Sequence, residues 1–285
     1  MNAPIPWDAL GGTVQEAAED GVAAFFDLDG TLLPPPSLEK RLFRELRSRG
    51  LIATRNYFTW LAEAVRLLPR GIKAILYANK MYLRGVAIEE LGSKRDEAKC
   101  AGRKAAESLR MLYCEALQRL VWHAEQGHAI VIVSGSLQPL AWGVAASLED
   151  ALAARGFRTA IGVYATRLEA REGRWTGRVA GEAMFGEAKA RAVREISASR
   201  RFELGECFAY GDSANDRWML EAVGRPAAVN PSNDLARIAA RNGWPILRWK
   251  NERDGVQAPF GAMRIMDSAG IAQPICATQP KSGKS

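Results

Sequence analysis

Three short segments carry residue types that could do chemistry. The first is Phe25-Phe26-Asp27-Leu28-Asp29-Gly30-Thr31-Leu32, where two acids stand one residue apart after an apolar run. Two carboxylates this close repel unless a cation or a shared proton lies between them. A polar turn would use the same letters. A calcium loop is a poorer competitor, because its sixth position must be glycine and here it is Leu32. The second segment is Val131-Ile132-Val133-Ser134-Gly135-Ser136. Its hydroxyls and unhindered backbone N–H groups suit a phosphate oxygen, although an ordinary turn would look alike. The third is Gly211-Asp212-Ser213-Ala214-Asn215-Asp216, followed by Trp218-Met219-Leu220. With Asp212 as a helix N-cap, Asp216 falls four residues on, on the same helical face. Like charges at that spacing destabilise a helix, and a Mg²⁺ ion held by a few carboxylates, water and a substrate phosphate would relieve them. Plain capping by Asp212 with an exposed Asp216 is the competing reading.

All three segments follow, or end, short apolar runs. Val22 to Phe26, Ala129 to Val133, Cys207 to Tyr210 and Ala227 to Val229 are continuous rather than alternating, as buried parallel strands are, and each is followed by a stretch of helical character. Strand-then-helix repetition predicts an α/β protein with a doubly wound, mostly parallel sheet, whose ligands bind at the carboxyl ends of the strands. The acids stand at those ends. Between Val163 and Val179, Leu168 to Trp175 alternates around a Glu-Gly turn, which predicts a β-hairpin beside the parallel sheet.

About a hundred residues separate the first two strands, far more than a crossover needs. Phe58, Leu61, Val65 and Leu68 are at helical spacing until Pro69 stops the ladder. A second series follows through Ile72, Ile75, Leu76, Met81 and Leu83, with Gly50, Gly71 and Gly85 as further breaks. These features predict a helical subdomain inserted at 36–115, leaving 1–35 and 116–250 as the core and 251–285 as an extension whose polar end is frayed.

The chain has 285 residues, 48% of them hydrophobic, which excludes global disorder. Its formal net charge is +7, which favours anionic partners. The charge is unevenly placed: Pro34 to Arg110 holds seventeen Lys and Arg against eight Asp and Glu, an excess of nine, so the remainder is slightly acidic. Cys100, Cys114, Cys207 and Cys276 are widely spaced and only two histidines, His123 and His128, accompany them, so neither a zinc site nor a disulfide framework is expected. The first residues lack a basic and then apolar leader, which predicts a cytoplasmic protein. The longest uncharged stretch, Gln126 to Leu148, is interrupted by Ser134 to Pro139 and reads as strand, polar turn and helix rather than a membrane span. The terminal Gly283-Lys284-Ser285 fails as a phosphate loop because position 278 is Thr.

Taken together and in order, Asp27-Leu28-Asp29-Gly30-Thr31, Ser134-Gly135 and Gly211-Asp212-Ser213-Ala214-Asn215-Asp216 resemble the motifs of the haloacid dehalogenase-like superfamily of phosphohydrolases. The remaining motif of that family is a lysine, matched by Lys189 in Gly186-Glu187-Ala188-Lys189-Ala190. The helical insertion directly after the first motif resembles the C1 cap of subfamily IB, whose best-known members are phosphoserine phosphatases. The likeness spans about Val22 to Trp249.

The resemblance implies a phosphomonoesterase. Asp27 would be the nucleophile that forms an aspartyl-phosphate, and Asp29 the acid and then base. Mg²⁺ would be held by the Asp27 carboxylate, the Asp29 backbone carbonyl and Asp212, supported by Asp216. Thr31, Ser134, Gly135 and Asn215 would bind the substrate phosphate, with Lys189 stabilising the developing charge. Phosphoserine phosphatases also carry a glutamate shortly after the first motif that reads the substrate amine. Here Pro34-Pro35-Pro36-Ser37 occupies that place and Glu39 is offset. The resemblance to subfamily IB, with the insertion's excess of positive charge, implies a small or lipid-linked phosphomonoester as substrate and peripheral contact between the basic cap and an anionic membrane. Nucleic acid is not expected, since no recognised binding module or aromatic stacking series is present. The alternatives are a phosphoserine phosphatase proper, or a non-catalytic basic module on the same scaffold that binds membrane or nucleic acid.

Overall fold

The computed structural model describes residues 21–91 and 112–250. The expected N-terminal residues, part of the anticipated insertion (92–111) and the extension from 251 onward lie outside them.

Six strands form one sheet in the order β3-β2-β1-β6-β7-β8, every neighbouring pair parallel. They are β1 (Ala23–Phe26), β2 (Ala129–Leu137), β3 (Ile161–Thr166), β6 (Phe208–Gly211), β7 (Arg225–Val229) and β8 (Ile246–Leu247). The four strands expected from apolar runs are all present. The helices α4 (Cys114–Glu125), α5 (Gln138–Ala153), α6 (Glu187–Arg200), α7 (Arg217–Glu221) and α8 (Asn233–Asn242) supply the connections.

Burial on both faces explains why these strands read as unbroken apolar runs. Successive side chains of β1 point to opposite sides. Ala24 and Phe26 pack with Ala116 and Leu120 of α4 and Val144 and Leu148 of α5. Ala23 and Phe25 pack with Val193 and Ile196 of α6, Met219 and Leu220 of α7 and Leu235 of α8. Each fully buried Phe contributes roughly 2 kcal/mol through area removed from water. Chain order runs outward from β1 to β2 and β3, then crosses back to β6 on the other side of β1. The switch point of the sheet therefore lies between β1 and β6, above Asp27 and Asp212.

Two local expectations are corrected. Ser134 to Ser136 do not form a turn beyond the strand: β2 continues to Leu137 through a register irregularity against β3, and α5 starts at once. The Thr166 hydroxyl donates to the Gly135 carbonyl (2.9 Å) and accepts from Met184 N–H (3.1 Å), which ties down the irregular stretch. The segment from Val163 is also divided. Ile161–Thr166 is the parallel strand β3, and only β4 (Leu168–Arg171) and β5 (Arg174–Val179) form the hairpin.

That hairpin docks on the segment between β1 and α4 rather than standing beside the sheet. Between β1 and α4 lie α1 (Leu38–Ser48), α2 (Thr54–Leu67) and α3 (Ile72–Ala78), with 3-10 turns at Leu68–Arg70, Met81–Leu83 and Ile88–Glu90. The second apolar series is thus two elements, because the helix stops at Ala78 and Met81 to Leu83 form a separate turn. Backbone bonds from Gly85 N–H to Trp175 O (2.8 Å), Trp175 N–H to Val86 O (2.9 Å) and Ile88 N–H to Gly173 O (3.0 Å) dock the hairpin on this segment. Trp175 enters a third apolar cluster with Leu42, Leu46, Ile52, Leu83 and Val86.

Helix α2 is held differently. Of its fourteen residues only Asn56 and Leu67 are buried, and Asn56 Nδ2 donates to the carbonyls of Tyr82 (3.1 Å) and Arg84 (2.8 Å). Phe58, Leu61, Val65 and Leu68, the residues whose spacing marks the helix, face outward. Among the described residues no helix is long and apolar enough to cross a membrane.

Candidate active site

Asp27 follows the last residue of β1, and its N–H donates to Tyr210 O of β6 at 2.9 Å. The pairing of the two central strands therefore sets where this carboxylate stands. It is buried, and Lys189 Nζ, also buried in the first turn of α6, reaches its Oδ1 at 2.6 Å and Asp216 Oδ1 at 2.5 Å. The other oxygen of Asp216 accepts from the N–H groups of Asp212 (3.2 Å) and Ser213 (2.9 Å) and from the Ser213 hydroxyl (2.8 Å). Asp212 and Asp216 are consequently not on one helical face. The chain from Asp212 to Asp216 is a loop curled around the Asp216 carboxylate, and α7 begins only at Arg217. Curling wins because Asp216 satisfies three donors at once and a buried lysine, which a single helix cap would leave unmet.

Oxygens of Asp27, Asp212 and Asp216 lie within 4.8 Å of one another. Burial pushes the Asp27 carboxyl up to about 7 despite the attraction of Lys189, with the Asp216 charge adding to the rise. Burial likewise raises Asp212 to about 8, with the Asp27 and Asp216 charges adding to it. Lys189 is held above its ordinary value, since its attraction to the two aspartates outweighs its own burial. One lysine thus stands among three carboxylates, and Asp27 and Asp212 still hold a proton more tightly than a free carboxyl does. A hard divalent cation with oxygen ligands fits this donor set. Gly30, at φ +93°, lets Asp212 come this close: a Cβ there would stand 2.2 Å from Asp212 Oδ2.

Asp29 belongs to a different environment. Its Oδ1 accepts the N–H of Leu38, the first residue of α1, at 2.7 Å, and its Oδ2 accepts the Ser136 hydroxyl. Burial raises its pKa, with the bonds from Ser136 and Leu38 pulling the other way. Its side chain is not one of the three clustered carboxylates.

The remaining expected residues are placed as follows. Thr31 is fully buried, and its Oγ1 has no hydrogen-bond partner among the described residues. Such an orphan is costly unless a ligand meets it. The Ser134 hydroxyl is buried and accepts Ser136 N–H at 3.2 Å. Gly135 lies against Phe185, whose ring a Cβ would meet at 2.2 Å. Asn215 Nδ2 donates to the Tyr77 hydroxyl at 2.8 Å, and the Tyr77 and Phe185 rings stack with centroids 3.7 Å apart.

Sequence reasoning did not single out Tyr77 and Phe185, and gave Ser136 no partner. Ser136 sat in a polar tripeptide already marked, but nothing local told that it faces Asp29 107 positions away. Tyr77 carries no motif, and only the packing of α3 over the core loop reveals it. Replacing Tyr77 by Phe keeps the stack but loses one hydrogen bond, so KM should rise about fivefold with kcat nearly unchanged. Tyr77→Ala loses both contacts and should raise KM further. Steady-state kinetics on the two variants check this, and a pure kcat loss would contradict it.

An all-parallel doubly wound sheet with three clustered aspartates and a buried lysine at its switch point defines a protein of the α/β class with an acidic site at the carboxyl ends of its strands. The chain belongs to the haloacid dehalogenase-like hydrolases: a family model of that description matches residues 24–221, and a second of the same description matches 185–258. Among its relatives, a "Probable phosphatase" of Mycobacterium tuberculosis is 32% identical over 90% of this chain and 85% of its own length. A phosphoserine phosphatase of the same organism, SerB1, is 29% identical over 99% and 88%. The solved structure of a Bordetella pertussis protein of unknown function aligns with a TM-score of 0.58 at 27% identity, covering 80% of this chain and 98% of the other.

Proposed function

We propose that this hydrolase is a Mg²⁺-dependent phosphomonoesterase that works through an aspartyl-phosphate on Asp27, with a small or lipid-linked phosphate ester as substrate. The observation that carries the reading is the division of the acids. Three carboxylates converge with Lys189 on one point, while Asp29 is held apart by Ser136 and the start of α1. The subfamily IB cap assignment, with the cap at 36–115, is part of the same reading.

In the first half, an Asp27 carboxylate oxygen attacks phosphorus, the ester P–O bond breaks, and Asp29 gives its proton to the departing alkoxide. The raised pKa of Asp29 suits it to hold that proton. In the second half Asp29 takes a proton from water, the hydroxide oxygen attacks phosphorus, and the Asp27–phosphate bond breaks to release inorganic phosphate. Lys189 fixes the nucleophile by its Oδ1 and balances the charge of the phosphoryl group. Asp27, Asp212 and the Asp29 carbonyl would hold Mg²⁺ with Asp216 behind them, and the ion supplies neutralisation of the carboxylates and of the phosphoryl oxygens. Thr31, Ser134, the Gly135 N–H and Asn215 would receive those oxygens. The unpartnered Thr31 Oγ1 supports this assignment.

One contact bears on the substrate. Lys80 Nζ binds both oxygens of Glu39 (2.8 and 2.7 Å), and the Tyr82 hydroxyl adds a third bond at 2.9 Å. Glu39, the acid nearest to the position at which phosphoserine phosphatases read an amine, is neutralised within the protein. This weighs against phosphoserine phosphatase proper, although a named relative has that activity.

Purified protein with Mg²⁺, offered phosphoserine, sugar phosphates, nucleotides and lysophospholipid phosphates side by side, tests the reading. Release of inorganic phosphate is expected, abolished by a chelator and restored by Mg²⁺, with phosphoserine among the poorer substrates. Binding of phosphate esters without Mg²⁺-dependent hydrolysis would replace the reading with that of a non-catalytic module.

A further inference from the structure

Large apolar side chains on a protein surface are ordinarily scattered, and a contiguous set marks something that covers it. Here the set is ordered. Phe58, Leu61, Val65 and Leu68 recur at three- and four-residue steps along α2 and its end, and Ile72 and Leu76 are four apart on α3, which packs against α2. Phe58 is 71% exposed, Val65 64% and Ile72 69%, more than a partly packed side chain would show. Tyr57 and Trp60, rings with a polar tip suited to a boundary between water and an apolar phase, are exposed on the same helix.

The charges beside this stripe select its occupant. From Thr54 to Ile72 there are three Arg (Arg55, Arg66 and Arg70) and one acid, Glu63, and that acid is already held by Arg66 at 2.8 Å. A second copy of the chain, docking the same face by a two-fold axis, would set like charges against each other, with no acid of this segment left unpaired to meet them. An anionic bilayer offers an apolar phase and a negative surface together.

We propose that the α2–α3 face docks on the surface of an anionic lipid membrane, apolar stripe inward and flanking Arg side chains at the head groups. The docking rests on this surface alone. Its use rests on the phosphatase reading: α3 sends Ile72 and Leu76 outward while its Tyr77 meets Asn215 in the site, so docking would bring lipid phosphate esters to the pocket.

The full-length protein is sedimented with vesicles of phosphatidylcholine alone and of phosphatidylcholine mixed with phosphatidylglycerol, without Mg²⁺ or substrate. Co-sedimentation with the mixed vesicles is expected, weakened by added salt, and reduced about tenfold or more in Leu61→Ser/Val65→Ser. The variant should keep the wild-type circular dichroism and the wild-type rate on a soluble phosphomonoester, since neither residue touches the site. If no hydrolysis occurs in either protein, the phosphatase reading fails and the vesicle result still stands by itself. Absence of wild-type binding, equal binding to phosphatidylcholine alone, or undiminished binding of the variant overturns the proposal. So does a wild-type dimer that ignores vesicles and dissociates in the variant, which would make the face a contact between copies.

Discussion

Asp27→Asn should lower turnover by about 10⁴-fold or more while leaving the protein folded. An amide does not attack phosphorus, and loss of the proposed nucleophile would remove the covalent route altogether. Folding is spared because Asn fills the same space and Lys189 keeps Asp216 at 2.5 Å. The distinguishing measurement is a quench in acid after mixing with labelled substrate. The wild type should retain protein-bound phosphate and the variant none. Asp29→Asn separates the roles further: the nucleophile is intact, so phosphorylation persists, but both halves slow by roughly 10²–10⁴-fold as the proton donor and acceptor is lost. An Asp27 variant with wild-type turnover would end the assignment.

Asp212→Asn should make the metal-free protein more stable and the enzyme worse. The unfolded chain releases this proton near 3.8, while the folded chain holds it up to about 8. Between those values folding requires either proton uptake or a buried charge, so this group lowers stability increasingly as pH rises. Asparagine is free of that cost. With a chelator present, the variant should exceed the wild type by about 1–3 kcal/mol at about pH 8, and the gap should close below about pH 4, where the carboxyl is protonated in both states. Thermal unfolding across pH measures it, and a less stable variant at the alkaline end refutes it. Added Mg²⁺ should raise the wild-type Tm by binding the native state and should do little for the variant. Turnover should fall by about 10²–10³-fold with the loss of one anchoring carboxylate.

The sheet was legible where burial on both faces produced unbroken apolar runs, as in Val131-Ile132-Val133 and Phe25-Phe26. It was less legible at its edges. β8 has two residues, too few for a pattern, and β3 lies one residue from a hairpin of similar composition, so the two read as one. The aspartates were legible because acids at strand ends have few purely structural uses. Their arrangement was not, since the Asp212–Asp216 loop closes through backbone N–H groups that no spacing rule records. The helical period of Phe58, Leu61, Val65 and Leu68 correctly located α2, but a period does not say which way its stripe faces. The answer depended on Asn56, a polar residue anchoring the opposite side.

Lys189 lies 162 positions from Asp27 and 27 from Asp216. The charge balance of the pocket is therefore delivered by segments that meet late. A chain emerging from the ribosome displays Asp27 and Asp29 long before α6 and the β6 loop exist, and forming contacts over such separations is entropically slow. Until then Asp27 has neither Lys189 nor the Asp212 and Asp216 carboxylates that it meets in the folded chain. On the phosphatase reading, a chain without α6 or the β6 loop lacks groups assigned to phosphate and metal, so ligand binding should favour the finished protein.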